Sequence, residues 1–181
     1  ILDACYKEDP YSRVACETMV TTWTAIVSGE ITTKANVNYA DLVRKTICDI
    51  WYIWGDSHFD WGACWVHLII NIQYQDIAQW VDTWWAGDKG IMFGYATNEA
   101  EDYLPLPISL AHKLAKRLEQ VRKEGVLNYL LPDGKSQVTV EYDGDKPVRV
   151  DTVIISNQHI KDVAQEELKE GIKKEVIDKI V

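Results

Sequence analysis

Seven of the eight tryptophans in this 181-residue chain fall between Trp51 and Trp85, and no other feature limits its folding so sharply. A buried tryptophan takes about 150–250 Å² out of water. Seven of them amount to roughly 1,000–1,700 Å², the area of a standard protein–protein interface. A stretch this short cannot hide them all inside itself, and left open they form an aggregation-prone patch. Three readings follow. The tryptophans rebuild a core, or they line an aromatic pocket with His58 or His67 as polar handles, or they form a face that pairs with another surface. The third accounts best for their density, with Trp51, Trp54, Trp61, Trp65, Trp80, Trp84 and Trp85 as interface anchors.

The rest of the composition is that of a globular domain. Hydrophobic residues are 47% and charged residues 26%, enough for a real core. The net charge of −9 argues against sequence-independent binding to nucleic acid, which needs a basic surface. The apolar run at 66–70 is too short to span a bilayer, so neither a nucleic acid nor a membrane partner is expected. Cys5, Cys16, Cys48 and Cys64 show no C-x-x-C spacing and lie in apolar segments. They read as buried free thiols in a reducing, cytoplasmic compartment. The chain opens at Ile1 without a methionine, and its true start is expected to lie further upstream.

Periodicity predicts an α+β fold, mainly antiparallel sheet covered by helices. Residues 1–7 read as the last turns of a helix. Residues 13–21 and 24–33 are rich in Val, Ile and Thr and suit an antiparallel pair. A helix is predicted from 39 to about 54, with Val43, Ile47, Ile50 and Trp54 on its apolar side. Residues 55–60 read as a loop. Residues 61–72 read as a strand, with Cys64, Val66, Leu68 and Ile70 on one face and Trp61, Trp65, His67 and Ile69 on the other. A short strand is predicted at 91–97. The stripe Ile108, Ala111, Leu114, Leu118 and Val121 marks a helix over 107–123, ended by Gly125. A hairpin follows, turning at Asp143-Gly144, and a charged amphipathic helix occupies 163–181. Two subdomains, 1–98 and 99–181, are expected to form one compact unit.

Several segments carry a resemblance. They are Ala15-Cys16-Glu17-Thr18, Gly29-Glu30-Ile31-Thr32-Thr33, Thr46-Ile47-Cys48-Asp49-Ile50, the run from Gly87 through Ile91-Met92-Phe93-Gly94-Tyr95 to Thr97, and Pro132-Asp133-Gly134-Lys135-Ser136-Gln137-Val138-Thr139. In order and spacing the chain resembles methionine adenosyltransferase, the S-adenosylmethionine synthetase family. In that family the methionine sulfur attacks C5′ of ATP and the released triphosphate is hydrolysed, with Mg²⁺ and K⁺ as cofactors and active sites between two subunits. The resemblance implies a role for individual residues. Glu17 matches the acidic residue near the monovalent cation, and Glu30 the residue that holds the methionine ammonium. Gln79 matches a methionine contact, Asp88 a residue at the methionine and nucleotide site, and Asp133 and Lys135 residues facing the nucleotide and its phosphates. Carboxylates for cations and a lysine for phosphate are a chemically sensible kit.

The family's His-Pro-Asp-Lys segment is expected before Ile1, and its Gly-rich phosphate segment after Val181. A fragment without them is expected to be inactive and to bind no cofactor, because each charge lost from a dry site costs on the order of 10²–10³ in rate. Trp23, Trp51 and Trp80 fall where the family usually has glycine, which often marks positive φ. So dense a block of changes reads as engineering. The function expected first is a non-catalytic fragment or engineered scaffold whose Trp-rich face mediates homodimerisation or binding of a designed partner. The alternative is an enzyme on ATP and methionine. The other features take bland readings. His58 and His67 lack a third ligand at metal spacing, and His112 is read as a partly buried, satisfied helix residue. His159 is assigned no chemistry, and residues 161–179 form a solvated face. Asp133 and Asp143 each precede Gly and suit turns. For Asp133 the ligand role stays open beside that one.

Overall fold

β-Branched residues set the first half of the molecule. In a computed structural model that describes residues 1–53, 59–73, 79 and 90–181, a helix α1 (Leu2–Glu8) leads into strands β1 (Arg13–Thr21) and β2 (Thr24–Thr32). They pair antiparallel with Thr21 opposite Thr24, so the loop is Thr22-Trp23. Helix α2 (Tyr39–Asp49) starts at Asn38, whose side chain accepts the Asp41 amide, a usual N-cap. The chain then crosses to strand β3 (Trp65–Asn71), which runs parallel to β2, with Thr24 opposite Trp65 and Glu30 opposite Asn71. Parallel neighbours need such a crossover. The order in this sheet is β1-β2-β3. Ala25 and Val27 on β2 pack with Val43 and Ile47 of α2 and with Cys64, and Cys16, Val66 and Ile70 flank them. These residues belong to one compact unit, Ile1–Met92.

The second unit, Phe93–Val181, is built on helix α3 (Leu106–Lys123), the hairpin β4 (Leu130–Asp143) and β5 (Lys146–His159), helix α4 (Gln165–Glu175) and a 3₁₀ turn (Ile177–Lys179). Ala111, Leu114, Leu118 and Val121 of α3 meet Leu130 and Val138 of β4 and Leu168, Ile172 and Val176 at the C-terminal end. Polar ties fix the register of these layers. Ser136 Oγ donates to the Ala111 carbonyl at 2.7 Å, and Arg117 Nε donates to the Glu175 carbonyl at 2.9 Å, a cation placed at a helix C-terminus.

The structure corrects several sequence expectations. The strand predicted from 61 begins only at Trp65, and Trp61 lies in a turn rather than on the strand's face. Asp60 Oδ1 accepts the amides of Gly62 and Ala63, and Arg44 donates to the carbonyls of Trp61, Gly62 and Cys64. Those groups are thereby spent before a ladder can form. Residues 91–97 form no strand, and Ile91, Met92, Phe93 and Tyr95 stand exposed. Helix α2 ends at Asp49, so Ile50 is outside it and 45% exposed. Ile108 and His112 of α3 face solvent; the buried face runs instead through Ser109, Ala111 and Leu114. The terminal helix stops at Glu175, and Val176 leaves helical angles at φ −120°. Asp133 sits inside β4, where the register shifts between Leu130 and Gly134, and is not a turn residue. Asp143, in contrast, closes the hairpin opposite Lys146. The predicted loop at 55–60 and the positions Trp54, His58, Trp80, Trp84, Trp85 and Asp88 lie largely or wholly outside the described residues.

Candidate functional site

Alternation along β1, β2 and β3 gives the first sheet two faces. One carries Cys16, Ala25, Val27, Val66 and Ile70 toward α2. The other therefore carries Glu17 of β1, Ser28 and Glu30 of β2, and Trp65, His67, Ile69 and Asn71 of β3. Glu17 pairs with Ser28 and Ala15 with Glu30, so the two carboxylates are diagonal neighbours on one face. Glu17 is exposed and Glu30 half-buried. Glu30 is flanked on its other side by Asn71. Two carboxylates and an amide on a sheet face suit an ammonium group. The face is open in this unit: Met19 is 59%, Ile69 57% and Trp65 69% exposed.

Glycine sets the position of Glu30. At Gly29, φ is +146° and a Cβ would lie 2.1 Å from the Ala15 carbonyl oxygen. Only glycine lets β1 approach β2 this closely next to the carboxylate.

In the second unit Asp133 and Lys135 stand two apart on β4, with Lys135 Nζ 3.2 Å from the Asp133 carboxylate. Both side chains are more than half exposed. A pair so open to solvent is worth little, so a phosphate could take the lysine at small cost. Gly134 between them would drive a Cβ to 2.4 Å from Asn157 Oδ1. Asn157 in turn donates to the Leu131 carbonyl at 3.0 Å, which ties the irregular start of β4 to β5. Gln79 is exposed.

A groove of about 450 Å³ lies between β5 and α4, lined among others by Asn157, His159, Gln165, Lys169 and Lys173. Sequence reading missed it because half its wall comes from a strand face and half from a helix. The spacing of Lys169 and Lys173, one helical turn apart, was the available signal.

Among the described residues no group of three or more His, Cys, Asp and Glu could hold a metal ion. Glu17 is a single carboxylate with at most two oxygens, where Mg²⁺ or K⁺ needs several. The described residues thus do not by themselves fit a cation, and no chemical step is derived through one. Among them, too, no helix is long and apolar enough to cross a membrane. The four cysteines are free thiols, Cys5 and Cys64 buried and Cys16 and Cys48 half-buried.

Comparison with known proteins adds the family. Residues 1–75 match the S-adenosylmethionine synthetase N-terminal domain and residues 84–181 match its central domain. The chain is 51% identical over 195 residues to the S-adenosylmethionine synthase of Finegoldia magna, covering all of this chain and 50% of that protein. It is 51% identical over 184 residues to that of Desulfosudis oleivorans, covering 98% of this chain and 47% of that protein. The chain spans about half the length of the curated relatives it matches. With both domain matches in order and nearly every residue covered, the chain belongs to the S-adenosylmethionine synthetase family.

Proposed function

We propose that this chain is the N-terminal and central portion of an enzyme that forms S-adenosylmethionine from ATP and methionine. The observation that carries the reading is the ordered match of two synthetase domains along one chain at 51% identity to named synthases. The open sheet face with Glu17 and Glu30, and the exposed Asp133–Lys135 pair, support it. In this reading the methionine sulfur forms a bond to C5′ of ATP. The C5′–oxygen bond breaks, and triphosphate leaves with its electron pair. Glu30 holds the methionine ammonium, and Asn71 beside it limits how that group sits. Lys135 leaves Asp133 for a phosphate oxygen. Asp88 and Gln79 are assigned to the nucleotide and methionine sites. Mg²⁺ and K⁺, with Glu17 near the latter, would supply charge neutralisation when the whole protein binds them.

The full-length protein, incubated with ATP, methionine, Mg²⁺ and K⁺, is expected to yield S-adenosylmethionine by mass spectrometry. A folded full-length protein that gives no product overturns the reading.

One observation favours a second reading, a scaffold that self-associates through tryptophan. Trp65 is 69% exposed and stacks on His67, ring centroids 6.5 Å apart, with Ile69 on the same face. It predicts that Trp65→Asp lowers the oligomeric mass in solution, and an unchanged mass removes it. It is the weaker reading, because Trp51 and Trp23 are placed by turns rather than by a packing surface.

A further inference from the structure

We infer that the tryptophan positions of this chain are glycine positions, and that a single codon, UGA, encodes them in its gene. The inference rests on backbone geometry and stands apart from the enzymatic reading. At the end of α2, Ile50 has φ −78° and ψ −9°, and Trp51 follows at φ +79°. The Trp51 amide donates to the Cys48 carbonyl at 2.8 Å and the Tyr52 amide to the Ile47 carbonyl at 3.2 Å. This double closure is the Schellman motif, whose left-handed residue is usually glycine.

The same chain contains the motif a second time. At the end of α3, Glu124 has φ −82° and ψ −4°, and the next residue has φ +71°. Its amide donates to the Arg122 carbonyl at 3.1 Å, and the Val126 amide to the Val121 carbonyl at 2.9 Å. The two helix ends match bond for bond and nearly angle for angle. The left-handed residue is Gly125 in one and Trp51 in the other.

Trp23 repeats the pattern in a different setting. It is the second residue of the two-residue β1–β2 loop, with φ +60°. Thr22 before it is not among the residues with positive φ. A turn with positive φ only at its second central residue is of type II character, which calls for glycine there. A bulky residue held in this region is a genuine outlier. Among the described residues three non-glycine residues have positive φ; two are tryptophan and the third is Tyr103.

The remaining described tryptophans also fail to behave as tryptophan. Trp61 is 42% and Trp65 69% exposed, and none of the four described is in either core. Tryptophan is ordinarily among the more buried residues on average. Trp61 lies in the turn built on Asp60, next to Gly62. The chain holds eight tryptophans but only ten glycines, below the usual glycine share of about 7%.

One residue type standing for one other in unlike settings, a helix end and a hairpin loop, has a single decoding cause more simply than separate ones. UGA is a stop signal in the standard code, tryptophan in some lineages and glycine in others. A gene of the last kind, read by the table of the second kind, gives tryptophan wherever its own cell inserts glycine.

Two measurements test this. The coding DNA is read at the eight positions, and peptides of the protein from its own host are weighed. UGA codons with peptides lighter by an indole side chain are expected. UGG at positions 23 and 51, or native peptides carrying tryptophan there, overturns the inference. Independently of any gene, Trp51→Gly in this chain should raise the folding equilibrium constant about tenfold, with Trp51→Ala gaining far less. Gly125→Trp should lower it by a similar factor. No gain from Trp51→Gly, beside a clear loss from Gly125→Trp, overturns the equivalence of the two sites.

Discussion

Glu99 shows how one side chain can hold a helix end from a distance. Pro105, the N-cap of α3, offers no side-chain cap. Glu99 Oε2 instead accepts the Leu106 amide at 3.1 Å, and the Tyr142 hydroxyl donates to the same oxygen. A carboxylate at a helix N-terminus is favoured by the dipole. The Tyr142 hydroxyl, followed by the Leu106 amide, holds the Glu99 carboxyl below its ordinary value. Its hydrogen bond to Glu99 pushes Tyr142 up to about 12. The two signs differ. The lowered carboxyl adds stability that is present above the ordinary glutamate value and is lost as pH falls through the folded value. The raised phenol adds stability present below the ordinary tyrosine value and lost as pH rises toward 12. Tyr142→Phe should therefore flatten both limbs of a stability–pH profile taken by denaturant unfolding. An unchanged acid limb would show that the bond is not formed in solution. Nothing in the sequence marks this pair, because its members are 43 residues apart. Glu17 and Glu30 could be picked out because short motifs surround them. Trp23 and Trp51 could be read as glycine-like backbone sites for the same reason, and both have positive φ.

At the scale of elements, long periodic segments were read from the sequence and pairing partners were not. The stripe Leu114, Leu118 and Val121 placed α3 within a residue of its observed start, because three buried positions on one face leave little choice. Leu114 is fully buried at the centre of the second core. Leu114→Ala should cost about 2–5 kcal/mol in thermal or denaturant unfolding, and a cost near zero would mean that α3 is not docked on β4. The β4–β5 hairpin was marked by alternating valines and an Asp-Gly turn. The parallel pairing of β2 with β3 was not visible, since alternation records faces and not neighbours. Nor was the late start of β3, which depends on Arg44 reaching back from α2. Gly29 tests the first sheet. With its Cβ set against the Ala15 carbonyl, Gly29→Ala should destabilise the β1–β2 pair by about 2–4 kcal/mol. Slow amide exchange along β1 that survives the substitution would contradict so close an approach.

At the scale of the whole molecule the question is what covers the open sheet face. Glu17, Glu30 and Asn71 share it with Met19 and Ile69, two large apolar side chains more than half exposed. Single apolar residues on a surface need no explanation, but large exposed ones on the same sheet face as the carboxylates suit a contact surface. The chain spans about half of its relatives' length; under the proposed function, two covers are to be told apart, another part of the same protein and a second subunit. The two differ in their dependence on concentration. A site closed by the same chain keeps its activity per chain on dilution. A site closed by a partner loses activity as the complex dissociates. The family resemblance implies the second, with active sites between subunits. Specific activity of the full-length protein should therefore fall on dilution below the concentration at which its mass halves in solution. The fall should come at a higher concentration for Ile69→Asp, whose side chain lies on the face but outside the proposed substrate groups. Specific activity that stays constant while the mass halves would place the whole site within one chain, and would leave the apolar patch to be covered from the same protein.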